Sequence, residues 1–107
     1  MKAALGDVDA ETAKKWLDGG EAVLVDVREP GEHARERIPG STLLPLSGFD
    51  PADYSAFVGK RIVIHCASGK RSRIVGERLL SSGVADIFIL EGDLFGWRDA
   101  GFPTETG

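Results

Sequence analysis

The sequence contains one cysteine, two histidines and one methionine among its 107 residues. A single cysteine excludes an intramolecular disulfide and any cysteine-rich zinc site. The two histidines, His33 and His65, do not have the H-x3-H spacing that is typical of zinc-binding motifs. The sequence therefore predicts neither a metal site nor a resident cofactor.

Long apolar runs are absent as well. No run approaches the ~20 apolar residues that a membrane-spanning helix needs. The first nine residues, MKAALGDVD, hold only three consecutive apolar residues before a glycine and an aspartate. We therefore expect no signal peptide and no membrane segment, and we expect the chain to be cytoplasmic.

Positive charge is in the minority, because 13 lysine and arginine residues stand against 17 acidic residues and the net charge is -4. This balance argues against nucleic acid or an anionic membrane surface as a partner. The local basic cluster of Lys70, Arg71 and Arg73 contrasts with the acidic chain around it.

The hydrophobic residues, 42% of the chain, alternate between short apolar runs and amphipathic segments. Strands are predicted at residues 22–27, 42–44, 61–65 and 87–90, and helices begin near Asp9, Pro30, Pro51, Ser72 and Asp93, which would cap the last helix. This alternation is typical of an α/β domain with a mainly parallel sheet. We predict one domain over residues 1–107, in which residues 104–107 form a tail.

The single cysteine, Cys66, lies in the stretch HCASGKRS, between the predicted strand 61–65 and the helix from Ser72. This places it at the carboxyl end of a strand, where open α/β sheets bind ligands. The loop also precedes a helix N-terminus, whose unpaired N–H groups attract anions. These features favour a reactive thiolate over the alternative of a buried structural cysteine followed by a turn.

Gly69, Lys70 and Arg71, which follow Cys66 in the loop, also favour a thiolate. Gly69 allows the backbone to curl so that successive N–H groups point inward, and Lys70 and Arg71 supply mobile positive charge. Nearby N–H donors and cations stabilise a thiolate. The loop is therefore predicted to bind a negatively charged substrate.

The pattern C-x-x-G-x-R-S resembles the active-site loop of the rhodanese-like sulfurtransferase family, with matches at Cys66, Gly69, Arg71 and Ser72. Further segments resemble the family in the same order: DVREP at residues 26–30, IPGS at 38–41, LEGD at 90–93, and W-x-x-A-G-x-P at 97–103. The match covers nearly the whole chain. Two departures, Arg37 where His is common and Asp93 in place of the second glycine of L-E-G-G, lie outside the loop and leave the chemistry intact.

The resemblance implies a three-layer α/β/α fold and a thiosulfate sulfurtransferase. Cys66 would attack a small sulfur donor such as thiosulfate, carry a persulfide, and pass the sulfur to cyanide, a thiol or a protein cysteine. The backbone N–H groups of residues 67–71 would hold the outer sulfur, and Arg71 and Lys70 would attract the donor. The residues expected to bind substrate are Ala67, Ser68, Gly69, Lys70, Arg71 and Ser72.

Other polar residues near the loop have more than one interpretation. His65 is interpreted as a packed residue rather than a catalytic base, because adjacent strand residues point to opposite faces. Ser72 is expected to cap the helix, to donate its hydroxyl to the thiolate, or both. Asp26 and Arg28 are expected to form an ion pair that supports the loops rather than to act in catalysis, and His33 is expected at the surface.

Two other functions remain as alternatives. The first is a binding or redox-sensing module, in which Cys66 performs no transfer. The second is a cysteine-dependent phosphatase or arsenate reductase, since rhodanese-like folds resemble the cell-cycle dual-specificity phosphatases with their H-C-x5-R loop. Here only four residues separate Cys66 from Arg71, a tighter loop suited to one sulfur atom. The lack of a second cysteine also disfavours arsenate reductases that form an internal disulfide.

Overall fold

A computed structural model of the chain describes residues 5–107. Residues 1–4, which begin the predicted domain and the segment considered as a signal peptide, lie outside the described residues. The strands are β1 Gly6–Val8, β2 Ala22–Asp26, β3 Glu36–Arg37, β4 Thr42–Leu43, β5 Arg61–His65, β6 Ile87–Leu90 and β7 Glu105–Thr106. The α-helices are α1 Ala10–Asp18, α2 Pro30–Arg35, α3 Lys70–Ser81 and α4 Asp93–Asp99, and 3-10 helices span Leu46–Gly48 and Pro51–Phe57.

Five strands form one parallel sheet in the order β1-β6-β5-β2-β4. β5 lies at the centre, and its residues from Ile62 to His65 are all buried, as expected for a strand covered on both faces. Because all five strands are parallel, their carboxyl ends lie along one edge of the sheet. The residue that follows β5 therefore stands in the middle of that edge.

Apolar side chains cover both faces of the sheet. On one face, Val75 and Leu79 of α3 pack with Tyr54 of the second 3-10 helix. On the other face, Ala13 of α1 packs with Trp97 of α4. The predicted three-layer α/β/α arrangement with a mainly parallel sheet is confirmed.

Several element boundaries differ from the prediction. β1 was not predicted, because its three residues include Asp7 and carry no apolar run; it forms by pairing with β6. Helix α3 begins at Lys70 rather than Ser72, because Gly69 occupies the N-cap with a left-handed φ of 81°. The predicted tail 104–107 includes β7, which pairs antiparallel with β3. No helix within residues 5–107 is both long and apolar enough to cross a bilayer.

Candidate active site

Cys66 follows the central strand β5 and is completely buried. Its side chain belongs to the same core cluster as Ile64 of β5 and Val75 of α3. The cysteine is thus held by packing against both the sheet and helix α3. This placement at the carboxyl edge of a parallel sheet is the one predicted from the sequence.

Backbone N–H groups surround the sulfur of Cys66. Gly69 donates its N–H to Sγ at 3.0 Å, and Ser72 donates its N–H at 3.4 Å. Gly69 lies within the range 67–71 that was predicted to supply such donors, whereas Ser72 lies one residue beyond it. Two donors at the start of a 12-residue helix favour negative charge on the sulfur.

The hydroxyl of Ser72 also faces the sulfur. The Cys66 thiol donates to Ser72 Oγ at 3.5 Å, and Ser72 Oγ donates to the carbonyl oxygen of Gly69 at 3.1 Å. Ser72 is the third residue of α3, so the expectation that it caps the helix is wrong; Gly69 holds that position. The first residues of α3 have N–H groups without an acceptor inside the helix, which leaves them available to an anion.

Arg71 is held in place by a carboxylate. Its guanidinium donates to both oxygens of Glu32 in α2, with Nη1–Oε1 at 2.7 Å and Nη2–Oε2 at 3.0 Å. These hydrogen bonds lower the pKa of Glu32 to about 2. The expectation that Arg71 supplies mobile charge is therefore wrong, whereas Lys70 is exposed beside it.

A buried ion pair lies next to the loop at the end of β2. Arg28 binds Asp26 through Nε–Oδ1 at 2.9 Å and Nη2–Oδ2 at 2.7 Å, and it also donates to the carbonyl oxygen of Glu36 at 2.7 Å. Burial alone would raise the pKa of Asp26, but the hydrogen bonds from Arg28 and His33 contribute to lowering it to about 2. The pair ties the end of β2 to β3. The expected ion pair is present, and its role in supporting the loops stays a prediction.

His33 contacts the same carboxylate. Its Nδ1 lies 2.9 Å from Oδ2 of Asp26, and its side chain is half-buried. The expectation of a surface position for His33 is therefore wrong, because α2 turns this residue toward the end of β2. The second oxygen of Asp26 thus has two partners, His33 and Arg28.

His65 pairs in register with Asp26 across the two central strands and is completely buried. Its Nε2 lies 3.8 Å from Asp26 Oδ2, and both ring nitrogens lack a hydrogen-bond partner within residues 5–107. Burial lowers the pKa of His65 to about 4, so the ring is neutral at neutral pH. The geometry agrees with a packed residue rather than a base for the neighbouring cysteine.

Asp93 is a site residue that the sequence analysis did not recognise. Its Oδ1 accepts the backbone N–H of Cys66 at 2.9 Å, and the residue is 6% exposed. The predicted capping role is wrong, because Gly92 precedes α4 as its N-cap while Asp93 itself adopts a φ of 50°. The signal in the sequence is the departure from L-E-G-G at this position, which lies outside the loop in sequence.

An open cleft lies beside these residues. It has a volume of about 420 Å³ and is lined by Arg28, Glu32, Arg35, Glu36, Leu94 and Thr106. A larger cavity of about 530 Å³ lies elsewhere, between the second 3-10 helix and the residues after α3, and is not lined by any residue of the loop. The smaller cleft is not lined by a loop residue either, but Glu32 in its wall binds Arg71 of the loop.

The chain is similar to known proteins over most of its length. A family model of the Rhodanese-like domain matches residues 9–100. The thiosulfate sulfurtransferase GlpE of Pseudomonas fluorescens is 32% identical over 99 residues, covering 92% of this chain and 89% of that protein. The uncharacterized protein slr1261 of Synechocystis is 44% identical over 82 residues, or 77% of this chain, and the match spans 46% of that protein. The crystal structure of the Alr3790 protein of Anabaena superposes with a TM-score of 0.82 at 25% identity, covering 92% of this chain and 91% of that one.

Proposed function

The chain belongs to the Rhodanese-like domain family, and on that premise we propose that it is a thiosulfate-type sulfurtransferase in which Cys66 carries the sulfur. One observation supports this most strongly. The sulfur of Cys66 accepts N–H groups from Gly69 and Ser72 at the start of α3, an arrangement that favours an anionic sulfur. The Pseudomonas relative is a thiosulfate sulfurtransferase, which supports the same reaction.

In the first half-reaction, the Cys66 thiolate attacks the outer sulfur of thiosulfate. A new S–S bond forms, the old S–S bond breaks, and sulfite leaves with the electron pair. The product is a persulfide with one negative charge on its outer sulfur. We propose that N–H groups of residues 67–71 and of Ser72 stabilise that charge, and that the exposed Lys70 attracts the donor.

In the second half-reaction, an acceptor nucleophile attacks the outer sulfur and Cys66 leaves as a thiolate. Cyanide would become thiocyanate, and a thiolate would become a new persulfide. Because Cys66 is the only cysteine, no thiol of the same chain can resolve the persulfide. We propose that the acceptor approaches from the side of the open cleft of about 420 Å³, whose wall includes Glu32, the partner of Arg71.

One observation favours a non-catalytic binding or redox-sensing module instead. Cys66 is completely buried, so a donor can contact its sulfur only if the surrounding atoms move. A module that never exchanges sulfur would have no need of such access. The two functions therefore differ in whether the sulfur of Cys66 can be loaded.

Intact-mass measurement separates these functions. We expect the wild type to gain one sulfur atom on incubation with thiosulfate, to keep it after small molecules are removed, and to lose it when cyanide is added. The matched control is Cys66→Ser, which should gain nothing while keeping the fold. No mass gain with any of several sulfane donors would contradict sulfur transfer and support the module. A gain in the Cys66→Ser variant would show that another residue carries the sulfur.

A further inference from the structure

We propose that Asp93 is a selectivity residue, whose buried carboxylate beside the sulfur-binding loop makes the site favour monoanionic over dianionic sulfur donors. The inference rests on the proposed sulfur transfer by Cys66 and names the class of donor. It is carried by the contact between the Asp93 carboxylate and the backbone of the nucleophile. It also gives a chemical consequence to the departure from L-E-G-G, in which Asp93 replaces the second glycine.

The position of Asp93 is unusual for a residue with a side chain. Its φ of 50° lies in the left-handed region, which residues other than glycine seldom adopt, aspartate and asparagine being among the commoner exceptions. The side chain is nevertheless held in a defined place, because Oδ1 accepts the Cys66 N–H at 2.9 Å and the residue is 6% exposed. A carboxylate therefore stands at the base of the loop that receives the donor.

The charge of Asp93 also reaches the curled part of the loop. Its Oδ2 lies 3.9 Å from the position that a Cβ would take at Gly69, the residue whose N–H binds the sulfur. Burial raises the pKa of Asp93, whereas the Cys66 N–H and the guanidinium groups of Arg28 and Arg71 favour its ionised form.

The nearby cations do not cancel this charge. Arg28 is bound by Asp26, and Arg71 is bound by both oxygens of Glu32. Within residues 5–107, Asp93 makes no salt bridge with either arginine. A donor at the loop therefore experiences a negative charge in a partly buried setting, where solvent screens charges less than at an open surface.

Two donors of different charge present the same reacting atom. Thiosulfate carries two negative charges and releases sulfite when the thiolate attacks its outer sulfur. An organic thiosulfonate, R–SO2–S⁻, carries one negative charge and releases a sulfinate in the same step. Both reactions form the S–S bond to Cys66, break the S–S bond of the donor and leave the same persulfide. The Asp93 carboxylate repels the dianion more strongly than the monoanion, so it lowers kcat/KM for thiosulfate more than kcat/KM for the thiosulfonate.

The test is to measure kcat/KM for thiosulfate and for methanethiosulfonate anion in the wild type and in Asp93→Asn. The asparagine keeps an oxygen that accepts the Cys66 N–H, tolerates a positive φ, and removes the charge. We expect the thiosulfate-to-thiosulfonate ratio to rise about ten-fold, equivalent to ~1.4 kcal/mol, mainly through a lower KM for thiosulfate. The matched control is Asp99→Asn, which removes an exposed charge from the same helix and should leave the ratio unchanged.

Asp93→Gly serves as the second variant. It removes the charge and the acceptor of the Cys66 N–H together, so we expect the same rise in the ratio with a lower kcat for both donors. An unchanged ratio in Asp93→Asn, or an equal rise in Asp99→Asn, would overturn the role of Asp93 while leaving sulfur transfer intact. If neither donor loads a sulfur atom on the wild type, both the inference and the proposed function fail.

Discussion

Lowering the pH from 7 to 5 should destabilise the protein through one buried histidine. His65 is completely buried beside Cys66, and neither of its ring nitrogens has a hydrogen-bond partner within the described chain. Burial lowers its pKa from the ordinary value of 6.5 to about 4, although the Asp26 carboxylate 3.8 Å away opposes this shift. The folded protein therefore keeps a neutral ring at pH values at which the unfolded chain binds a proton.

The sign and size of the effect follow from these two pKa values. Between pH 6.5 and pH 4 the unfolded state binds more protons than the folded state, so the free energy of unfolding falls as the pH is lowered. From pH 7 to pH 5 the loss amounts to about 2 kcal/mol. Below the folded pKa of about 4 this group contributes no further change.

Urea denaturation at pH 7 and pH 5 measures this loss, and His65→Leu supplies the control. Leucine has a similar volume and cannot titrate, so the variant should lose no more than about 0.5 kcal/mol over the same interval. The carboxylates of Asp26 and Glu32 contribute little in this window, because they lose their stabilisation mainly between their ordinary pKa values of 3.8 and 4.5 and their folded pKa values of about 2. Equal pH dependence in wild type and variant would refute the assignment of His65 as a buried neutral ring.

Two further predictions concern the loop. Arg71→Ala should lower kcat/KM for thiosulfate about ten-fold and more than Lys70→Ala does, because it removes a cation and leaves Glu32 unpaired. Adding Glu32→Gln to Arg71→Ala should restore part of the activity in a thiosulfate–cyanide assay. Equal small effects of Arg71→Ala and Lys70→Ala would contradict the larger role of Arg71. The wild type should not hydrolyse an aryl phosphate, because the loop is one residue shorter than H-C-x5-R. Phosphate release that disappears in Cys66→Ser would favour the phosphatase alternative.

The sheet was largely predictable from the sequence. The runs at 22–27, 61–65 and 87–90 agree with β2, β5 and β6 to within one residue, since strands buried on both faces are continuously apolar. β1 escaped prediction because it is short, and its parallel pairing with β6 joins residues about eighty positions apart. The helices were located, and α1 and α2 start where predicted, after Asp9 and at Pro30. The first residues of α3 and α4 were not predicted, since Gly69 and Gly92 precede these helices in left-handed conformations.

The N–H groups around the Cys66 sulfur were predictable in part, because they belong to one local segment. Cys66, Gly69 and Ser72 lie within seven consecutive residues, so a strand, a tight turn and a helix start are enough to bring them together. The charges around them depend on longer-range contacts. Arg71 meets a carboxylate 39 positions away, and the Cys66 N–H meets Asp93 27 positions away.

Under the proposed function, local contacts supply what sulfur transfer needs, and long-range contacts supply the charges that select the donor. A thiolate at a helix N-terminus can accept sulfur from any sulfane donor of suitable size. Under the proposed selectivity, the donor that reacts fastest depends on the net charge at the loop, which includes Arg71 bound by Glu32 and the Asp93 carboxylate on the Cys66 N–H. Relatives that share the loop C-x-x-G-x-R-S are therefore expected to share the persulfide chemistry but to differ in donor preference wherever the residue at position 93 is uncharged.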